Sequence, residues 1–271
     1  MKFNKTLHPS DYGNLQPQLK LFNDVTSKID SIIHHDNRRW EYGVALASLD
    51  LIRNQNPQTI LDIGGGGSPL PAMASSLGYG LMVIDPSPEA QRQADFNKLA
   101  GMHINVDNRD FMDVDLSGQF DVVFCISTLE HVQDDVALFK KALSVAQHLA
   151  VFTVDYHVTG QAQSPHHLRT YNRASLEHLA ALAAPEWELV DSPDWADHGA
   201  HVFGYNFASL VLRRKTIEKE LAYSLDAAPN APTFMLPPEP DQPTEPMDVS
   251  EAPPKPPKRK RKSKKATTDN A

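Results

Sequence analysis

The stretch Thr59–Pro69, TILDIGGGGSP, runs an apolar segment into an acid and then into four consecutive glycines. A second apolar run, LMVID at Leu81–Asp85, ends in another acid. Strand, glycine loop, helix, strand and acid is the order that holds a nucleoside-bearing ligand at the carboxyl edge of a parallel sheet. Glycines let the main chain approach such a ligand where a Cβ would collide with it or forbid the backbone angles. Asp85 falls roughly 20 residues beyond the loop, where a carboxylate accepts hydrogen bonds from ribose hydroxyls.

The details of the loop narrow the ligand. A dinucleotide loop requires G-x-G-x-x-G/A. Counting from Gly64 the sixth residue is Pro69, and from Gly65 it is Leu70, so neither register fits. A phosphate loop closes on Gly-Lys-Ser/Thr, and no lysine lies between Gly64 and Gln91. Asp62, just before the glycines, suits a cationic amino group rather than a pyrophosphate. S-adenosyl-L-methionine, which carries an α-amino group and a sulfonium but no phosphate, meets that requirement. The alternative for the loop is a glycine-rich turn that binds nothing.

Outward from this loop the alternation is regular. Strands are expected near 59–63, 81–85, 102–106, 120–126 and 149–155, and helices near 69–78, 88–100, 132–148 and 172–184. Short apolar runs alternating with helical patterns imply a parallel sheet covered on both faces. Pro69, Pro71 and Pro88 sit in first turns, where a missing N–H costs little, and Gly78 and Gly101 stop their helices. Upstream, a helix is expected around Gln18–Ile33 and another over Trp40–Arg53, whose Trp40 and Tyr42 are read as core packing before ligand contact.

The motifs together resemble class I S-adenosylmethionine-dependent methyltransferases of the type 11 kind, over roughly Trp40 to Arg214. LDIGGGGSP is similar to the first motif of that family, VIDPS (Val83–Ser87) to its second and FDVVFCISTLEHV (Phe120–Val132) to its fourth. The resemblance implies an α/β fold: a Rossmann-like, seven-stranded, mostly parallel sheet with helices on both faces, closed by an antiparallel strand at Phe207–Lys215. It implies a helical cap region over 1–58 and a cofactor-binding domain over 59–215. Implied cofactor contacts are Asp62, Gly64, Gly65, Gly66, Asp85, Pro86, Ser127, and Asp110 with Phe111 beside the adenine. The family's Pro-Gly-Gly turn before the fifth strand is replaced by Ala146-Gln147-His148-Leu149.

Methyl transfer from a sulfonium needs alignment of the acceptor, and a base only where the acceptor must lose a proton. Glu130 and His131, after the fourth strand, are the catalytic candidates, His131 first because of its pKa near 6.5; an ordering role for the pair is the alternative. The segment Asp155–Arg173 follows the fifth strand, where this fold places substrate-facing residues. Tyr156, His157, His167, Arg169 and Tyr171 would suit a polar acceptor such as a sugar, carboxylate or phosphate group. Ser127-Thr128-Leu129-Glu130 stands where nucleic-acid amino-methylases carry Asn/Asp-Pro-Pro-Tyr/Phe, which argues against that class. His198 and His201 lack a third and fourth ligand at a recognised spacing, so no metal is expected.

At 271 residues and 41% hydrophobic content, the chain can bury one core. The single cysteine, Cys125, fits a reducing compartment. The start, MKFNKTLHPSDYG, reads as no secretory signal, and no apolar run approaches the roughly 18 residues of a membrane span, so a cytoplasmic location is expected. Eight Lys/Arg against Asp269 give Pro253–Ala271 a charge of +7, leaving −15 of the total −8 for the rest. An acidic body is a poor platform for a nucleic-acid duplex.

Eleven of the 21 prolines lie between Pro229 and Pro257. Such a segment cannot recover its ordering entropy by burial, so 225–271 is read as a disordered tail. Its end, Lys255–Lys265, suits weak contact with a polyanion. Three functions follow: a methyltransferase acting on a small molecule or glycan intermediate at O or N, a protein methyltransferase recruited by the basic tail, or a cofactor-binding scaffold without turnover. The chain gives no reading of oligomeric state. Truncation after Lys219 is expected to leave the thermal midpoint within a few degrees of the full chain, checked by calorimetry on both forms.

Overall fold

The computed structural model describes residues 1–28, 38–91, 102, 104–116, 119–160, 167–199 and 204–215. Most of the helix expected over 88–100, the end of the one expected over Gln18–Ile33, His201 and the whole tail with Lys255–Lys265 lie outside the described residues. Met1–Ile217 form one compact unit.

The apolar runs pair as a sheet of β1 (Thr59–Ile63), β2 (Gly80–Ile84), β3 (Ile104–Asp107), β4 (Phe120–Ile126), β5 (Ala146–Tyr156), β6 (Trp187–Leu189) and β7 (Asn206–Arg214). Their order is β3-β2-β1-β4-β5-β7-β6. The strands from β3 to β5 are parallel, and β7 runs antiparallel to both β5 and β6. Alternation with period two sends successive side chains to opposite layers. Ile60, Val122 and Phe124 join one buried layer with Trp40, Val44 and Phe207. Leu61, Val123 and Cys125 join the other with Phe139 and Phe152.

Among the described residues the helices include α1 (Asp11–Asn14), α2 (Gln16–Thr26), α3 (Arg39–Ser48), α4 (Leu70–Ser76), α5 (Asp135–Val145) and α6 (Arg173–Ala183). Pro71 lies in the first turn of α4, and Gly78 follows its end at φ +96°. Asn172 caps α6 by a reciprocal exchange with Ser175. The helix expected over Trp40–Arg53 is α3 followed by a 3₁₀ stretch, Leu49–Gln55. Trp40 and Tyr42 are buried, with Trp40 Nε1 donating to Asp11 Oδ2 at 3.1 Å and Tyr42 stacked on Phe22.

Several boundaries differ from expectation. The expected helix 132–148 begins later, where the Asp134 side chain accepts from Ala137 N at 2.9 Å, and ends at Val145. It passes straight into β5, which therefore starts at Ala146 rather than 149. Phe120 pairs with Ala146 and Val122 with Leu149, so β5 accommodates one extra residue as a bulge. No separate Pro-Gly-Gly turn is needed there. β3 starts at Ile104 rather than 102, and β6 has only three residues, too few for a periodic signal.

Before α1, residues 3–7 lie across β7 and the loop after β6. Thr6 bridges to Ala208, and Leu7 N donates to the Phe207 carbonyl at 2.8 Å. Asn4, fully buried, donates to Asp191 Oδ1 at 2.9 Å and accepts from Val211 N at 2.7 Å. Removing its side chain strands a buried N–H, which costs about 1–3 kcal/mol. Asn4→Ala is therefore expected to lower the unfolding free energy by that amount, read as a lower urea midpoint at an unchanged denaturant slope.

Candidate functional site

The strand order reverses between β1 and β4, whose carboxyl ends therefore diverge into a crevice. The glycine loop enters it from β1. Gly64 has φ +74°, and its N–H donates to the Ile84 carbonyl at 2.9 Å. A Cβ on Gly64 would strike the Thr128 side chain, one on Gly65 the Asp62 carboxylate, and one on Gly66 the Asp85 carboxylate at 2.7 Å. Asp85 Oδ2 accepts from Gly66 N and its Oδ1 from Ser87 N, both at 2.7 Å. That carboxylate fastens the loop to the turn after β2, in which Pro86 is exposed. Ionised carboxylate oxygens have further lone pairs, so these bonds leave acceptor capacity.

Asp62 is 1% exposed, and neither of its carboxylate oxygens has a hydrogen-bond partner. Burial first, and then the neighbouring Asp85, hold its pKa well above the usual carboxylate range. A buried acid in this state lacks a cation.

On the β3 side, Asp110 is exposed and accepts from Met112 N at 2.8 Å, opening a short 3₁₀ turn that carries the buried Phe111. Lys141 of α5 holds this wall. Its Nζ donates to the carbonyls of Phe111 at 2.6 Å, Met112 at 3.0 Å and Val114 at 2.8 Å, and lies 4.8 Å from the Phe111 ring centroid. Ser127, at φ +47°, ends β4 on the opposite side and donates through Oγ to Glu41 Oε1 at 2.6 Å. Thr128 Oγ1 reaches the Ile63 carbonyl at 3.1 Å, tying this turn to the end of β1.

Beyond β4 lies a second group of buried acids. Glu41 Oε1 also accepts from Thr153 Oγ1 at 2.6 Å, while Oε2 meets Arg38 at 3.1 Å. Arg38 stands 3.6 Å from Asp155 Oδ1, and His167 Nε2 lies 3.0 Å from Asp155 Oδ2. Glu130 Oε1 accepts from Asp155 N at 3.2 Å, whereas its buried Oε2 has no hydrogen-bond partner. Burial pushes Glu130 up to about 7, against the pull of Arg38. Burial and Glu130 together push Asp155 up as well.

The sequence-derived acceptor residues divide. His167 joins the acidic group, and His131 sits exposed beside it with ring centroids 5.0 Å apart. Tyr156, Arg169 and Tyr171 are reassigned, because each spends its polar atoms on the protein itself. Tyr156 donates to the Trp195 carbonyl at 2.8 Å, and Tyr171 to Asp135 Oδ2 at 2.5 Å. Arg169 donates to the Val132 and Gln133 carbonyls at 2.7 and 3.0 Å and pairs with Asp135 at 3.2 Å. His157 is in a turn, its Nδ1 2.8 Å from Thr159 Oγ1. Arg38, Glu41 and Thr153 were not singled out from the sequence. The pair Arg38–Glu41 stands three apart at a helix start, a pattern that ordinary surface helices share.

A family described as "Methyltransferase domain" matches residues 32–187, and the chain belongs to that family. A ubiquinone biosynthesis O-methyltransferase of Xanthomonas campestris pv. campestris (strain B100) is 29% identical over 153 residues, covering 49% of this chain. The chain spans 63% of that relative's length. Among solved structures, magnesium protoporphyrin IX methyltransferase (ChlM) from Synechocystis PCC 6803 with bound SAH is 15% identical. It covers 76% of this chain and 97% of its own at a TM-score of 0.50. TehB from Haemophilus influenzae has the same TM-score of 0.50 at 14% identity, covering 62% of each chain. These structures share the fold described above.

The buried acids make stability depend on pH. Glu130 has a folded pKa above its ordinary 4.5, so the folded state holds more protons than the unfolded chain between about pH 4.5 and pH 7. Its contribution is fully present below 4.5 and declines as pH rises through 7. Glu130→Gln is expected to flatten the fall in unfolding free energy over that window, measured by urea titration at several pH values.

Proposed function

We propose that this chain is an S-adenosyl-L-methionine-dependent methyltransferase acting on a small molecule or glycan intermediate at oxygen or nitrogen. The observation that carries this reading is the buried Asp62 carboxylate, unpartnered beside a glycine cradle that any Cβ would fill. A cofactor with an α-ammonium and no phosphate fits that donor set, and family membership agrees with it. Asp62 would receive the ammonium group, and the backbone of Gly64, Gly65 and Gly66 would pass beside the ligand. Asp85, next to Pro86, would accept from ribose hydroxyls, with Asp110, Phe111 and Ser127 bounding the base. When bound, the cofactor supplies an activated methyl carbon on a sulfonium.

The chain's own contribution is then alignment and exclusion of water, because the carbon is already activated. The acidic group past β4 lines the acceptor side, with Glu130 and His167 buried and His131 at its rim. No described helix is long and apolar enough to cross a membrane.

Calorimetric titration tests the cofactor site. Because Asp62 is protonated more readily than an ordinary carboxyl, binding a cation releases a proton, and affinity rises with pH up to the free-state pKa. Asp62→Asn is expected to remove this proton release. Losing charge-assisted hydrogen bonds worth about 1.5–3 kcal/mol would weaken Kd about 10- to 100-fold. Absence of binding by the unaltered chain at millimolar cofactor would overturn the reading. Transfer of a labelled methyl group into a metabolite extract, rather than a protein extract, tests the acceptor class.

A further inference from the structure

Among the described residues, two that are not glycine have a positive φ, Asn56 at +51° and Ser127 at +47°. Asn56 caps the end of the 3₁₀ stretch Leu49–Gln55, a place where asparagine accepts the left-handed form. Ser127 caps no helix. It is the first residue after β4, and there the left-handed form brings its Cβ against the following carbonyl, a cost that only surrounding contacts can hold in place.

The strained residue borders the crevice. Ile126, Ser127 and Thr128 are half-buried, whereas the four residues before them, Val122 to Cys125, are buried. Thr128 Oγ1 lies 3.1 Å from the carbonyl of Ile63, the residue before Gly64, and a Cβ on Gly64 would strike that same hydroxyl. The turn after β4 and the glycine loop therefore interlock, so a change of backbone at Ser127 moves the wall that faces Gly64.

Two bonds keep Ser127 in this form. Its N–H donates to the Thr153 carbonyl at 2.9 Å, and its Oγ donates to Glu41 Oε1 at 2.6 Å. The second is a charge-assisted bond, stronger than one between neutral groups. Its acceptor is itself immobile, because Glu41 is fully buried and is also bound by Thr153 Oγ1 and Arg38. The bond uses the only proton of the Ser127 hydroxyl, which leaves the side chain no donor for a ligand. What Ser127 contributes to the site is the path of its main chain.

We propose that Glu41, in the first turn of α3, is a positioning residue for the cofactor: its carboxylate holds the Ser127 main chain in the left-handed form that shapes the β4 wall of the crevice. The inference rests on the methyltransferase reading above and adds to it a helix outside the glycine loop and the acids that flank it. It also separates two roles for Ser127, a side chain that touches the ligand and a backbone that Glu41 holds clear of it.

Glycine distinguishes these roles, since it takes the left-handed form without the Cβ cost. S-adenosylhomocysteine is titrated calorimetrically into the full chain and its variants, each first shown by circular dichroism to unfold cooperatively. Ser127→Ala keeps the Cβ and loses the anchor, and its Kd is expected to rise about 10-fold. Ser127→Gly loses the same hydroxyl but is expected to stay within about 3-fold of the unaltered chain. A direct hydroxyl contact, or a contribution of the bond to stability alone, predicts instead that both variants lose equally or that glycine loses more.

Glu41→Ala is expected to weaken binding at least as much as Ser127→Ala, and adding Ser127→Gly to it is expected to recover most of the loss. If Glu41→Ala does not fold, the two Ser127 variants decide by themselves. Equal losses in Ser127→Ala and Ser127→Gly, an unchanged Kd in Ser127→Ala, or a folded Glu41→Ala that Ser127→Gly does not rescue overturns the proposal. These results leave the cofactor reading standing, because the unaltered chain still binds. An unaltered chain that binds neither S-adenosylhomocysteine nor S-adenosylmethionine at millimolar concentration refutes that reading, and the positioning role with it.

Discussion

Glu41 has no exposed surface, yet it carries a carboxylate. A buried carboxylate without partners costs several kcal/mol, so its surroundings must satisfy it. Here Ser127 from the end of β4, Thr153 from β5 and Arg38 from the helix start do so together. The arrangement fixes α3 against the carboxyl edge of the sheet and holds Ser127 in a left-handed conformation. It also places Arg38 beside Asp155, the only guanidinium among the described residues to reach that pair. The chain of contacts continues outward, since α3 also carries Trp40, which bonds Asp11, which pairs with Lys5 of the terminal arm at 2.7 Å. Residues far from the sheet edge thus set the geometry at it.

Parallel strands bring all their carboxyl ends to one edge, and the reversal between β1 and β4 divides that edge in two. Each part received its own acids. Asp62 and Asp85 lie at β1 and β2; one is unpartnered and the other is committed to backbone N–H groups. Glu130 and Asp155 lie at β4 and β5 and share their surroundings with a guanidinium and an imidazole. The same burial raises acids in both parts, but the consequences differ. An acid with no nearby cation is matched to a ligand that brings one. Glu130 and Asp155 instead share one internal network with Arg38, Glu41 and His167.

What the sequence made legible was local. The glycine loop, its flanking acids and the alternation of apolar runs are signals contained within about ten residues each, and they sufficed for the sheet. Long-range partnerships were not legible. Arg169 and Tyr171 have the residue types of a polar-ligand site, but their partners are carbonyls of Val132 and Gln133 and the carboxylate of Asp135, roughly 36 positions away. Glu41 looked like an ordinary helix acid because Ser127 and Thr153 are 86 and 112 positions distant. The direct passage from α5 into β5 escaped notice for a different reason: a bulge replaced the expected turn, and bulges leave no fixed residue signature.

The distribution of unsatisfied charge separates structural acids from those with work to do. Asp11 is 3% exposed, but it is fully engaged by Lys5, His8 N and Trp40 Nε1. Glu41 is likewise saturated. Asp62, Glu130 and Asp155 are as deeply buried, and all three retain carboxylate oxygens without a hydrogen-bond partner. A chain able to satisfy Asp11 and Glu41 so completely leaves such groups orphaned only where another requirement overrides stability. These acids stand at the carboxyl edge of the sheet, Asp62 in one part of the crevice and Glu130 and Asp155 in the other. The cost of folding is thus concentrated at the sheet edge where the crevice opens.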